Sequence, residues 1–283
     1  MNRRSFLLVN TAVLLFGFAG LFGKWIGMPA LAITFGRVCF SSAALWIYMR
    51  MAGQPLRVDD RKDLAVLILA GALLALHWWS MMRSIQLSTV AIGTITFSTF
   101  PCFVTLLEPM VRCEKLKAKN LIVALVILAG VIITVPEFTV ENDMVRGILV
   151  GMVSSVTYAV LTILNKGFTQ KYSGTLIAFC EQATAAVVLL PLALTAGFHP
   201  ALRDIGLLLV FGTVVTAFAH TLFISSLRDI PARLAGVCSS METVYSILFA
   251  AILLGETPSV REVLGAAVIL GAVVFAQLTE KET

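Results

Sequence analysis

Charge is scarce in this chain: Asp, Glu, Lys and Arg together supply 13% of its 283 residues. With 59% hydrophobic residues and a mean hydropathy of +0.94, there is too little polar surface to coat a water-soluble body of this length. The five cysteines (Cys39, Cys102, Cys113, Cys180 and Cys238) are scattered and odd in number, with no CxxC or ligand-like spacing. They are expected to be buried small residues and say little about redox compartment. No GxxxxGK[ST] occurs, which removes ATP hydrolysis within this chain. HExxH and GxSxG are also missing, as are paired aspartates inside apolar stretches, so an intramembrane enzyme has no catalytic set. Long polar connections are lacking too; the longest runs from Gly53 to Asp63, so no soluble ligand domain is expected between the spans. No cofactor is implied.

What is present is a succession of long apolar runs. Ten spans are expected near residues 5–26, 30–50, 64–83, 86–111, 119–136, 145–166, 174–197, 204–226, 231–254 and 259–278. Each approaches the roughly 20 residues needed to cross a bilayer. The fold class expected is an all-α membrane protein of ten transmembrane helices. Arg3 and Arg4 before the first run imitate a signal peptide. The length of that run and the nine spans after it favour a retained helix.

The ten spans fall into two copies of one block, about 142 residues long, with five spans in each. Ile127-Leu128-Ala129-Gly130-Val131 returns as Ile269-Leu270-Gly271-Ala272-Val273, Cys113-Glu114 as Gly255-Glu256, and the segment ending at Lys24 is echoed up to Lys166. Ser98 to Pro101 answers to Ser239 to Glu242, and Ile33 to Arg37 answers to Ile177 to Glu181, with small offsets. Residues 1–140 and 141–283 are therefore read as two repeats. Because five is odd, the second copy must lie upside down relative to the first, the arrangement of pores and carriers.

The net charge of +5 is informative by position. With the amino terminus inside, the cytoplasmic tails and loops collect fifteen basic residues, among them Arg3, Arg4, Arg61, Lys62, Lys115, Lys117 and Lys166. The opposite face holds five: Lys24, Arg83, Arg146, Arg203 and Arg261. The positive-inside rule then places both termini in the cytoplasm, in a bacterial-type inner (plasma) membrane. Nucleic acid is not an expected partner, because no basic segment interleaved with aromatic residues accompanies the charge.

An ionisable group in mid-membrane costs roughly 2.5–3.5 kcal/mol on insertion scales and needs a reason to be there. The candidates are Arg37, His77, Glu108, Glu181, His220 and Glu242. Glu242 lies too deep in the ninth span to reach water easily; it is either a helix-to-helix hydrogen bond or a substrate contact and proton carrier, with Tyr245 close by. Thr94, Ser98, Pro101, Thr105 and Glu108 recur at helical spacing in the fourth span and should face the interior, as packing devices or as cavity wall. Pro101 is expected to free a carbonyl and kink that helix. Ser155, Tyr158, Thr162 and Asn165 make a similar face in the sixth span, and Asn10, Gly17 and Lys24 one in the first. His77-Trp78-Trp79 is the most aromatic cluster. Adjacent residues cannot share a helix face, so Trp78 and Trp79 should do different jobs. Arg37 and Glu181 occupy matching places that inversion sends to opposite depths, so each should need its own local partner.

Taken in order, these residues give the chain a family likeness. The Arg37 to Leu45 run (RVCFSSAAL), Ala91 to Pro101 leading to Glu114, the LRDIPAR turn from Leu227 to Arg233, Glu242, Gly255-Glu256 and the closing LGAAVILGAV resemble the EamA-type family of the drug/metabolite transporter superfamily over essentially the full length. The resemblance implies an inverted-repeat bundle working by alternating access and typically exporting a small metabolite. It implies a cavity built from spans one to four and six to nine, with Glu242 and, more loosely, the Ser98 and His77 regions in its wall. It supplies no substrate motif. The small four-helix multidrug relatives carry a first-span Glu where this chain has Gly17 and Phe18, so their proton mechanism does not transfer.

The expected function is secondary transport of a small organic solute such as an amino acid, outward, with proton coupling through Glu242 or a histidine. Multidrug or cation efflux and a non-transporting scaffold are the alternatives. The expected partners are the solute, protons and the lipid bilayer. The substrate-cavity or coupling candidates are Glu242, His77, Trp78, Tyr245, Ser98, Thr94, Tyr158, Glu181, Arg37 and His220.

Overall fold

In the computed structural model, residues 3–111, 118–134 and 142–279 are described. Among them the chain is all helix and turn, in ten helical spans with no strand. The first five are α1 (Arg3–Trp25), α2 (Ala30–Met51), α3 (Arg61–Leu87), α4 (Val90–Val111) and α5 (Ala118–Thr134). The second five are α6 (Asp143–Phe168), α7 (Gly174–Thr195), α8 (Leu202–Ser226), α9 (Ala232–Leu253) and α10 (Val260–Thr279). Eight of the helices are long and apolar enough to cross a membrane; the apolar part of α5, Ile122–Thr134, is shorter. The chain is an integral, multi-pass membrane protein. Its outward faces carry Leu7, Ile47, Leu69, Ile122, Val187 and Leu194 exposed, as lipid solvation permits and water would not.

Helix ends follow local chemistry. Asp60, Thr89, Asn142 and Ser173 each accept a backbone N–H of the helix they precede, offsetting donors that the first turn leaves unpaired. The matched helices α2 and α7 are followed by Gly53 and Gly197 at positive φ (61° and 59°), a conformation that stops a helix and that only glycine adopts freely. The turn between α3 and α4 holds only Ser88 and Thr89, because α3 runs on to Leu87, past the expected end near residue 83. Cys113 and Glu114 lie outside the described residues.

The packing carries the signature of the repeat. The principal pairs are α3 with α6, α5 with α10, α2 with α7, α3 with α7, α1 with α8 and α9, α4 with α6 and α9, and α2 with α8. Exchanging each helix for its counterpart five places along maps this set onto itself. The chain is thus two inverted five-helix repeats about a pseudo-two-fold axis. Crossings depend on small residues: a Cβ added at Gly71 of α3 would lie 2.5 Å from Thr184 Cβ and 2.7 Å from the Glu181 carbonyl of α7. At the end carrying the α6–α7 turn, Asp63 accepts from Lys171 Nζ at 3.0 Å and Tyr172 Oη at 2.8 Å. The Asp63 hydrogen bond raises the Lys171 pKa, so this contact is intact at neutral pH and is lost as pH rises through the raised value.

Candidate functional site

Among the described residues three of the ten spans are irregular. The helix α1 breaks at Gly17-Phe18, α4 breaks at Ser98-Thr99, and α8 winds as a π-helix from Phe211 to Phe218. The break in α4 has a direct cause. Pro101 has no N–H to give to the Phe97 carbonyl four residues back. Ser155 of α6 donates to that carbonyl instead, at 3.3 Å, and its hydroxyl also lies 2.7 Å from Thr99 Oγ1. At the break in α1, Ser246 of α9 donates to the Gly17 carbonyl at 3.0 Å. Within the π-helix, Thr216 donates to the Phe211 carbonyl at 2.8 Å. At the breaks in α1 and α4 the backbone is therefore opened and closed again by hydroxyls, and in α8 a wider turn is reinforced by one; such irregularities re-aim side chains where a helix lines a site.

Around these irregularities lies a cavity of about 30 Å³ lined by Arg37, His77, Trp78, Phe97, Tyr158, His220 and Glu242, with Phe16 and Ala19 from the broken α1. Arg37 is buried, with its guanidinium carbon 4.2 Å from the ring centre of Trp78 and 4.0 Å from that of Phe211. Its Nε donates to Thr216 Oγ1 at 3.0 Å. Two aromatic faces and one hydrogen bond hold the ion, each face contributing about 2 kcal/mol once desolvated. Glu242, also buried, faces the same cavity and attracts Arg37 through space without a direct ion pair. No hydrogen bond to Glu242 is found among the described residues.

The second cluster adjoins the first. Trp78 meets His220 edge to face at 5.3 Å, and His220 Nε2 lies 3.1 Å from Glu181 Oε2. Glu181 Oε1 and both polar atoms of the Gln182 side chain are buried without a hydrogen-bond partner among the described residues. Arg37 and Glu181 are not paired; they stand at the two ends of a line running through Trp78 and His220. On the other side His77 stacks on Tyr158 at 4.6 Å, and its Nδ1 lies 2.8 Å from Ser154 Oγ and 3.0 Å from the Ser154 carbonyl. A carbonyl only accepts, so that contact puts the proton on Nδ1 and leaves Nε2 as the acceptor in the neutral ring.

Of the ten candidates from the sequence, six line the cavity: Arg37, His77, Trp78, Tyr158, His220 and Glu242. Glu181 stands one contact behind, through His220. Thr94 and Ser98 are buried but off the lining. Their hydroxyls return to the backbone of their own helix, to Val90 and Ile95. Tyr245 is half-buried, with Cβ against Gly17 and its ring 6.4 Å from Phe249. Lys24 and Asn10 are also away from the centre, and Trp79 faces an outer groove with Leu31 and Val188 while Trp78 faces in. Phe211, Thr216 and Phe97 are not singled out by the sequence. Phe97 sits four residues before Pro101, a usable signal; the π-helix that brings Phe211 and Thr216 to Arg37 leaves none.

The model of the EamA-like transporter family matches this chain twice, over residues 3–135 and 145–277. An uncharacterized transporter of Archaeoglobus fulgidus is 27% identical over 271 residues, covering 95% of this chain and 94% of that protein. The S-adenosylmethionine uptake transporter of Rickettsia prowazekii is 24% identical, covering 92% and 87%. The pseudopaline exporter of Pseudomonas aeruginosa is 24% identical, covering 90% and 88%. One solved crystal structure has the same fold, with a TM-score of 0.73 at 18% identity over 100% of this chain and 99% of that one.

Proposed function

Because the chain belongs to the EamA-like transporter family, we propose that it is a secondary carrier which exports a small zwitterionic metabolite, of the amino-acid type, across a bacterial-type inner membrane by alternating access. The observation that carries this reading is the pair of opposite charges, Arg37 and Glu242, facing one buried, aromatic-walled cavity. Without a solute each is the other's counter-charge at a distance. A solute with an anionic and a cationic group gives each a closer partner, which offsets part of the cost of burying the ions.

At about 30 Å³ the cavity has room for water and for no metabolite, so the reading takes this conformation as an occluded one. The distribution of basic residues supports a cytoplasmic position for both termini. Glu242 is the candidate proton carrier, since it is deep, acidic and free of hydrogen bonds among the described residues. The relatives' names include one uptake and one export protein, so direction is not inherited from them.

Efflux of lipophilic cations is the competing reading, favoured by Glu242 and the aromatic walls. Against it stands Arg37, a fixed positive charge that already occupies the faces of Trp78 and Phe211 on which a cation would stack. The test is an untargeted comparison of the media of cells with and without the protein, followed by flux in liposomes under a pH gradient. A zwitterion that accumulates outside with wild type and not with Glu242→Ala supports the reading. Broad dye resistance without such a solute overturns it, and a full gradient response in Glu242→Gln removes the proton role.

A further inference from the structure

Two lysines at matching places in the repeats, Lys24 ending α1 and Lys166 near the end of α6, do the same thing at opposite ends of the bundle. Lys24 Nζ donates to the Ser88 carbonyl at 2.9 Å, in the turn between α3 and α4. Lys166 Nζ donates to the carbonyls of Leu227, Arg228 and Ile230 at 2.7, 3.2 and 3.2 Å, in the turn between α8 and α9. Ser88 and Ile230 are themselves separated by the repeat length. Each lysine thus reaches from the first helix of its repeat to the hairpin made by the third and fourth.

At the Lys24 end further contacts join the two halves. Lys24 Nζ is 3.7 Å from Glu256 Oε1, in the turn between α9 and α10, and Glu256 Oε2 accepts from the Val90 N–H at 3.0 Å. Thr89 donates to Glu262 of α10 at 3.1 Å. One mouth of the bundle is therefore cross-tied between a hairpin of the first repeat and a hairpin of the second. At the other mouth Lys166 holds the turn beside a recess of about 500 Å³ lined by Arg4, Ser5, Thr169, Tyr172, Arg228 and Asp229.

We infer that Lys24 and Lys166 are the two straps of the transport cycle, each closing one mouth, and that a mouth opens when its own strap lets go. They are positioning residues and touch no solute. Alternating access requires two closures that release separately, and a bound lysine is a closure suited to this. A charge-assisted bond to a carbonyl is strong while the mouth is shut, and the ammonium is readily hydrated once the turn moves away. Both straps are fastened around a centre too small for a metabolite, which is what an occluded intermediate requires.

The experiment is hydrogen–deuterium exchange of the full chain in lipid nanodiscs without solute, comparing wild type with Lys24→Met and Lys166→Met. Lys24→Met should exchange about tenfold faster over residues 85–92 and remain at the wild-type rate over 225–232. Lys166→Met should show the reverse. Lys24→Arg, which keeps a donor, should stay near wild type. If either methionine variant quickens both ends, or neither, the lysines merely support the fold and the inference is overturned. Should Lys24→Met fail to fold, Lys166→Met decides the matter by itself: it should quicken residues 225–232 alone, and any other pattern overturns the inference. Exchange is read without solute, so its failure leaves the transport reading standing, and a failed flux assay leaves the straps standing.

Discussion

Arg37 holds its guanidinium against the rings of Trp78 and Phe211 while its Nε donates to Thr216, and this setting predicts that Arg37→Lys will not substitute. A compact ammonium cannot stack on two rings while donating both to Thr216 and to the cavity. Transport should fall by about tenfold or more, corresponding to loss of a charge-assisted contact, while the protein still elutes as a folded species; flux in liposomes with a melting curve on the same sample checks it. Glu242 predicts a different outcome. If Glu242 receives the solute's cationic group, Glu242→Gln should weaken binding of amino acids and leave that of their N-acetylated, purely anionic forms unaffected. Ligand-induced shifts in melting temperature across both sets measure this, and equal loss for both sets would remove the role. Both residues are legible in the sequence as candidates, because a charge in mid-span cannot be idle. What holds Arg37 is not legible there: Phe211 and Thr216 meet it only because α8 is wound as a π-helix at that point.

At the scale of elements, helix identity is legible in the sequence and helix shape only in part. Runs of about 20 apolar residues announce spans whatever their partners are. Pro101 announces the break in α4, because a missing N–H is a property of the residue itself. The break at Gly17-Phe18 depends on a tertiary partner, Ser246, and a serine 229 positions away gives no local sign. The same hydroxyls give a quantitative prediction. Ser155→Ala and Ser246→Ala each leave an interior carbonyl unpaired, and each should cost about 0.6–1.7 kcal/mol, the average and the maximum found for interhelical hydrogen bonds in membranes. The two breaks share no hydrogen bond, so the double variant should show the sum. Thermal melts of the three variants in detergent test both points. Gly71→Val at the α3–α7 crossing should cost more, about 1–3 kcal/mol, since the side chain would meet the Glu181 carbonyl rather than a flexible tip.

For the molecule as a whole, the two stretches that match the family, residues 3–135 and 145–277, do not pack as two separate bodies. Most of the large helix pairings join a helix of one half to a helix of the other, and α5 and α10, the last spans of their repeats, pack on each other. A half on its own would present the faces of α3, α4 and α5 to lipid, including the buried polar side chains Ser80, Ser84, Thr96 and Ser98. Covering those faces is what the inverted copy does. The halves are therefore expected to need one another even when they are not covalently joined. Expressed as two separate polypeptides divided between residues 140 and 141, they should co-purify as a one-to-one complex and restore export of the solute. Either half alone should be degraded or aggregate. Positive-inside charges favour the correct insertion of the second half, because Lys166 at the end of α6 and Lys171 and Arg228 in the short loops remain in it. A first half that is monodisperse and folded by itself would show that the interleaved packing is not what holds the bundle together.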